Sequence, residues 1–218
     1  MRPFIMCWIG AMLLAIGLSA QVTEGGNFVL GSTVGFSSAN SKVTQTAGTG
    51  TVKEENPFAT QVVLAPSIGY FLLDNLALGI RMDYTFSDVR DQNNNSAENS
   101  NVLFGPFLRY YVPMTKSNDL YLFGEAGFGF GNSRDVKELT TGTQRINTNL
   151  FAFGVGPGIT VIASNAVGLE AVVKYNFARS EFDTQIGGIN ANTTTRTNQV
   201  SISLGLQFYF AGLRAANR

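Results

Sequence analysis

The sequence predicts an all-β fold: an eight-stranded antiparallel up-and-down transmembrane β-barrel. Three observations carry this expectation. Apolar residues alternate with small or polar ones, at period two, through eight separate stretches of the 218-residue chain. The polar connections between those stretches alternate long and short along the sequence. No apolar run of helix-spanning length follows residue 20. An isolated strand cannot sit in lipid, because its backbone N–H and C=O groups would go unpaired. Closure into a barrel pairs them all.

The clearest stretch is the last, Gln199 to Phe210. Val200, Ile202, Leu204, Leu206, Phe208 and Phe210 share one face, and Gln199, Ser201, Ser203, Gly205, Gln207 and Tyr209 share the other. The remaining stretches follow the same rule. Asn27 to Ser37 sends Phe28, Leu30, Val34 and Phe36 to one side. After a polar loop at 39–57, Phe58 to Phe71 presents Val62, Leu64, Pro66, Ile68 and Tyr70, and Asp74-Asn75 makes a tight turn. Leu76 to Ser87 sends Leu78, Ile80, Met82, Tyr84 and Phe86 outward, before a second polar loop at 88–100 containing Asn93-Asn94-Asn95. Val102 to Val112 and Leu120 to Gly131 flank a turn at 113–119, and a third polar loop covers 134–148. Leu150 to Ile162 and Val167 to Ala178 flank a turn at Ser164-Asn165, and a fourth polar loop covers 179–198.

Such a chain puts all long loops at one end and both termini at the other. Aromatic residues mark both ends of the apolar face: Phe36, Phe86, Phe130, Phe151 and Phe177 on the long-loop side, Phe28, Tyr70, Tyr110, Phe208 and Phe210 on the short-turn side. These read as the two interfacial girdles of a membrane barrel. Alternation alone leaves inside and outside exchangeable, so a secreted soluble barrel with an aromatic-lined cavity is the rival architecture. A weak repeat, Ala65-Pro66-Ser67-Ile68, Gly105-Pro106-Phe107-Leu108 and Gly156-Pro157-Gly158-Ile159, places proline inside three strands. β-Bulges are the expected accommodation.

The chain ends bound the domain. Arg2, the apolar run Phe4 to Leu18, and Ser19-Ala20 before polar Gln21 read as a cleaved secretory signal peptide over 1–20. The barrel is expected over 21–210 and a short periplasmic tail over 211–218. The only cysteine, Cys7, lies inside the signal region, so the mature chain is expected to hold no disulfide. The 15 basic and 15 acidic residues balance, which gives no basis for nucleic-acid binding.

On strand count, loop asymmetry, the run Tyr121-Leu122-Phe123-Gly124-Glu125-Ala126-Gly127 and the closing strand, the chain resembles the small OmpA-like and OmpX-like bacterial outer-membrane barrels. The resemblance covers residues 21 to 210. It implies the outer membrane of a Gram-negative bacterium, with outer-membrane lipid as the surrounding partner. Ser203, Gly205, Phe208 and Phe210 resemble the C-terminal assembly signal of such barrels, which implies engagement of the barrel-assembly machinery through the last strand. About eight residues follow Phe210, where the family usually ends on the aromatic. A peptidoglycan-binding segment is not expected after the barrel, so that role is not carried over.

The inward charges are Arg81, Arg109 and Lys174 against Asp83, Glu125 and Glu170. An eight-stranded barrel is only wide enough to be filled by its own side chains, so these charges read as a salt-bridged lumen network, with a gated narrow ion path as the alternative. Enzymatic chemistry is not expected. Histidine is absent, which removes Ser–His and Cys–His nucleophile pairs and zinc sites built on histidine. The carboxylate pairs Asp88 and Asp91, or Glu54 and Glu55, fall in polar loops and read as solvated charges. No cofactor is implied, and the loops name no surface ligand.

The closing strand gives the first testable expectation. Phe210→Ala should leave much of the chain unassembled, as read by heat-modifiable mobility in the membrane fraction. Assembly at the parental rate would remove Phe210 from the signal.

Overall fold

The computed structural model describes residues 22–47, 50–90, 96–139, 142–164, 166–186 and 189–212. Every element there is a strand: β1 (Phe28–Ala47), β2 (Gly50–Leu73), β3 (Leu76–Arg90), β4 (Ser96–Pro113), β5 (Leu120–Leu139), β6 (Gly142–Ser164), β7 (Val167–Ile186) and β8 (Ile189–Phe210). Each pairs antiparallel with the next, and β1 pairs with β8, so the sheet is a closed eight-stranded barrel with no free edge. Closure runs in register from Phe28 opposite Phe210 to Ala47 opposite Ala191. Ser203, Gly205, Phe208 and Phe210 of the closing strand face Gly35, Thr33, Leu30 and Phe28. Residues 1–20, read as a signal peptide, and 213–218 of the tail lie outside the described residues.

The strands are longer than the sequence pattern suggests. The stretches read as loops at 39–57, 88–100, 134–148 and 179–198 are mostly paired backbone, out to Ala47 opposite Gly50, Arg90 opposite Ser96, Leu139 opposite Gly142 and Ile186 opposite Ile189. Asn93-Asn94-Asn95 lies outside the described residues. The physical reason is that alternation records a contrast between two environments. Beyond the lipid band both faces of a strand meet water and the alternation disappears. The hydrogen-bond ladder does not need it, and Thr and Val favour extended backbone whatever their neighbours.

Apolar residues point out and charges point in, which removes the exchanged soluble barrel. Phe36 is 66% exposed, Ile202 61% and Leu204 67%, whereas Arg109, Glu125 and Glu170 are buried. The outward aromatics form contacts at both ends: Phe28 with Tyr70 (4.9 Å) near the short turns, Phe130 with Phe151 (5.1 Å) at the far end. The two girdle positions on β1, Phe28 and Phe36, stand about 26 Å apart along the strand at about 3.3 Å per residue.

The three prolines do not produce bulges. Register is unchanged across each, from Leu64–Tyr84 to Ser67–Arg81, from Phe104–Phe130 to Phe107–Gly127, and from Val155–Tyr175 to Gly158–Val172. Pairing is interrupted on the following strand only. On the preceding strand Pro66, Pro106 and Pro157 stay aligned with Ser32, Ile80 and Gly124. A proline lacks one donor, and two aligned pairs on one side are what each strand gives up. Register shifts occur elsewhere, at Ala39/Ser41, Phe71/Leu73 and Ile162/Ser164.

The short-turn end is tied down. Asn75 (φ 66°) and Asn118 (φ 54°) adopt the left-handed conformation their turns require. Residues before β1 lie against the first turn. Thr23 Oγ1 donates to Asn75 Oδ1 (2.7 Å), the Asn75 amide donates to the Thr23 carbonyl (2.8 Å), and the Gly26 amide donates to the Phe71 carbonyl (2.7 Å).

Two glycines separate packing from composition. A Cβ on Gly131 would sit 1.7 Å from the Val102 carbonyl oxygen, whereas a Cβ on outward Gly124 would meet nothing within 4 Å. Gly131→Ala should destabilise the barrel by about 1–3 kcal/mol, the usual overpacking cost. Gly124→Ala should be neutral. Unfolding in lipid vesicles by urea distinguishes them, and equal midpoints would contradict the geometry.

Candidate functional site in the lumen

Inward positions alternate with the lipid-facing ones, so the lumen is lined by residues of one parity from all eight strands. Large inward side chains stand directly opposite small ones on the neighbouring strand. Phe107 faces Gly79, Phe123 faces Gly158 and Gln207 faces Gly31. A Cβ on Gly158 would lie 2.1 Å from the Phe123 ring, and one on Gly31 would lie 1.9 Å from the Gln207 amide oxygen. The charges obey the same rule: Arg81 faces Gly105, Arg109 faces Ala77, Glu125 faces Gly156 and Glu170 faces Gly205. The register therefore makes room for long side chains in a narrow tube.

Five of the six charges converge. Glu125 accepts from Arg81 through both carboxylate oxygens (Nη1 to Oε1, and Nη2 to Oε2 at 2.6 Å). Its Oε2 also accepts from Arg109 Nε (3.0 Å) and Nη2 (2.5 Å), and Lys174 Nζ lies 3.1 Å from Oε1. Arg109 reaches onward to Glu170, with Nη1 to Oε2 at 2.6 Å and Nη2 to Oε1 at 3.2 Å, and its Nη1 also donates to Tyr111 Oη at 3.0 Å. Aromatic faces flank the guanidinium groups: Arg109 lies 4.2 Å from the Phe123 centroid and Arg81 lies 4.8 Å from that of Phe107. Asp83 stands apart. It lies two residues along β3 on the same face, within electrostatic reach of Arg81, but makes no hydrogen bond or ion pair with any described residue.

Below the network, toward the short turns, lies an aromatic layer that the sequence reading missed. Phe71, Tyr111, Tyr121, Phe123 and Tyr209 are buried with Val22, Val29, Ala77 and Val172. Ring centroids are 5.6 Å apart for Phe71–Tyr111 and for Tyr111–Phe123, and 6.0 Å for Tyr111–Tyr121. The signal was present. Tyr110-Tyr111 and Phe208-Tyr209-Phe210 put aromatics on both faces of a strand, where the apolar alternation stops.

Above the network, inward Gly127, Gly129 and Gly154 help line a cavity of about 450 Å³. Gly129 illustrates the space, since a Cβ there would meet nothing nearer than 3.5 Å. The floor of the cavity includes Arg81, Asp83, Phe107 and Lys174, and its walls are rich in Thr, Ser, Asn and Gln. Gln199 Nε2 donates to Ser37 Oγ (2.5 Å) and Gln61 Oε1 (3.3 Å) across three strands of that wall. Among the described residues no cluster of three or more His, Cys, Asp and Glu is placed to hold a metal ion. The side chains of Asp88, Asp91, Glu54 and Glu55 lie outside the described residues.

Residues 10–208 match the sequence profile of the outer membrane protein beta-barrel domain. The chain belongs to that family. Curated protein sequences yield no match. Among solved structures, this outer-membrane barrel is similar to the outer membrane protein OprG from Pseudomonas aeruginosa at 14% identity and a TM-score of 0.55. That likeness covers 88% of this chain and 99% of OprG. It is similar to Neisserial surface protein A at 15% identity and a TM-score of 0.47, covering 84% and 97% of the two chains. The outer membrane protease OmpT from Escherichia coli matches at 9% identity and a TM-score of 0.47, covering 84% and 97%. At such identities the likeness to OprG establishes the fold alone.

The ion pairs of this outer-membrane barrel are unequal. Among the described residues Arg109 is the only cation paired with Glu170, whereas Glu125 keeps two cations if Arg81 is lost. Arg109→Leu should therefore cost about 3–5 kcal/mol, the scale of a broken buried pair, and Arg81→Leu distinctly less. Urea unfolding in vesicles gives the ranking, and the reverse order would show that Glu170 does not depend on Arg109.

Proposed function

We propose that this protein is a non-enzymatic outer-membrane scaffold with a shut lumen, presenting its upper barrel and strand connections outside the cell. The observation that carries the reading is Glu125, gripped from three sides by Arg81, Arg109 and Lys174 directly above a layer of buried aromatic rings. An ion crossing the barrel would have to break these buried pairs. The short turns and both termini face the periplasm in this reading, as in barrels with long extracellular hairpins.

The absence of histidine supports a role without acid–base or nucleophilic chemistry. The last strand, with Ser203, Gly205, Phe208 and Phe210, would be the segment handed to the barrel-assembly machinery. The narrow-channel alternative draws on one observation: the cavity already reaches down to Arg81 and Lys174, so among the described residues the network and the aromatic layer separate it from the short-turn end.

Planar-bilayer recording on the refolded barrel tests the reading. The parent protein should be silent across the physiological salt range. Reproducible steps whose size changes in Arg81→Ala or Glu125→Ala would replace the scaffold by a gated pore.

A further inference from the structure

We propose that a row of basic residues on the outward face, just beyond the aromatic belt at the end opposite the short turns, binds a phosphorylated glycolipid of the surrounding leaflet. The inference rests on the orientation in the scaffold reading and is independent of whether the lumen is shut.

The register sets the row. Arg179 of β7 stands directly opposite Arg196 of β8, and Arg196 stands directly opposite Lys42 of β1. All three are exposed and continue the outward parity of Phe177, Val200 and Phe36 on their strands. Like charges directly opposite one another in a sheet repel, so the row weakens the pairing it sits on unless an anion neutralises it. The carboxylates of the chain do so only in part. Glu181 pairs with Arg179 on an exposed face, where ion pairs hold weakly in water. Arg196, at the centre, makes no ion pair with any described residue. Beyond Lys42 the row reaches Glu55 of β2, and the next row places Lys53 opposite Thr44. Lys42, Lys53, Arg179 and Arg196 thus stand against Glu55 and Glu181, which leaves a surplus of positive charge. An anion from outside the chain would satisfy it.

Position selects a lipid over a soluble anion. Arg179 lies two residues beyond Phe177 of the aromatic belt and directly opposite Phe151 of β6. Arg196 lies four residues from lipid-facing Val200, about 13 Å along the strand at about 3.3 Å per residue. That is the headgroup zone bordering an apolar band that ends at the belt. Beside Arg179 the outer wall carries a depression lined by Phe130, Phe151, Asn132, Asn149 and the Arg179–Glu181 pair. Asn132 Nδ2 donates to Asn149 Oδ1 at 3.5 Å, on an exposed face where sugar hydroxyls can reach both amides. Guanidinium groups fork onto phosphate oxygens, amides hydrogen-bond hydroxyls, and the phenyl rings meet the apolar part of the lipid. A free anion would have no use for the rings. The short-turn end carries no matching row: its turns hold Lys116 against Asp74 and Asp119. The preference therefore belongs to one leaflet.

The test uses the full barrel in detergent micelles, with native mass spectrometry against lipid A, its dephosphorylated form and phosphatidylethanolamine. Lipid A should bind saturably, and the dephosphorylated form about tenfold more weakly, the scale of losing a charge-assisted hydrogen bond. Arg196→Gln and Arg179→Gln should each weaken lipid A by a similar factor, whereas Lys116→Gln, at the opposite end, should leave it unchanged. Equal affinity for the two forms of lipid A, or an affinity untouched by Arg196→Gln, overturns the proposal. So does displacement of lipid A by millimolar inorganic phosphate, which would make the row a site for the free anion. The comparison of lipids on the parent protein stands even if a variant fails to assemble. Thiol labelling of Thr46→Cys in intact cells tests the orientation separately. No labelling contradicts the orientation, whereas labelling without a preference for lipid A contradicts the site alone.

Discussion

Everything in the lumen depends on one guanidinium group. Arg109 has five N–H donors, and all five are engaged: two with Glu125, two with Glu170 and one with the Tyr111 hydroxyl. A charge buried in a narrow tube is tolerable only when its hydrogen-bonding capacity is filled, because the low-dielectric surroundings penalise each unpaired donor. Arg109, on β4, meets Glu125 on the adjacent β5 and reaches Glu170 on β7, so the network braces the barrel across its interior as well as along its wall.

That brace needs space, and the register provides it. Long inward side chains of the network face glycine or alanine on an adjacent strand, as with Glu125 opposite Gly156 and Arg109 opposite Ala77. A one-residue slip in any pair would send an apolar lipid-facing residue inward and a charge into the membrane. The same contrast that makes the outside apolar thus fixes which glycine meets which arginine. Where inward glycines have no bulky partner, as at Gly129, the lumen stays open and the cavity results. Filled floor and open upper lumen are therefore two outcomes of one pattern of large and small residues.

The ion network stands at the boundary between those two regions. Below it, Glu125 and Glu170 are held by cations, and the aromatic layer of Phe71, Tyr111, Tyr121, Phe123 and Tyr209 closes around the guanidinium groups. Above it, Asp83 and Asn101 help line the open cavity.

The sequence by itself determined the barrel, its strand count, the face each residue takes within the lipid band and the set of inward charges. Each of these follows from a period-two contrast between lipid and lumen, which is local and therefore written residue by residue. Tertiary structure decided the rest. It extended the strands through polar stretches such as 39–47, where water on both faces erases the alternation but not the backbone pairing. It let Pro66, Pro106 and Pro157 sit in unshifted register, because the missing donor faces one neighbour only. It joined five inward charges and left Asp83 outside, since which side chains meet across a tube depends on strand stagger and length of reach. Those relations link residues far apart in the chain, and no local pattern encodes them.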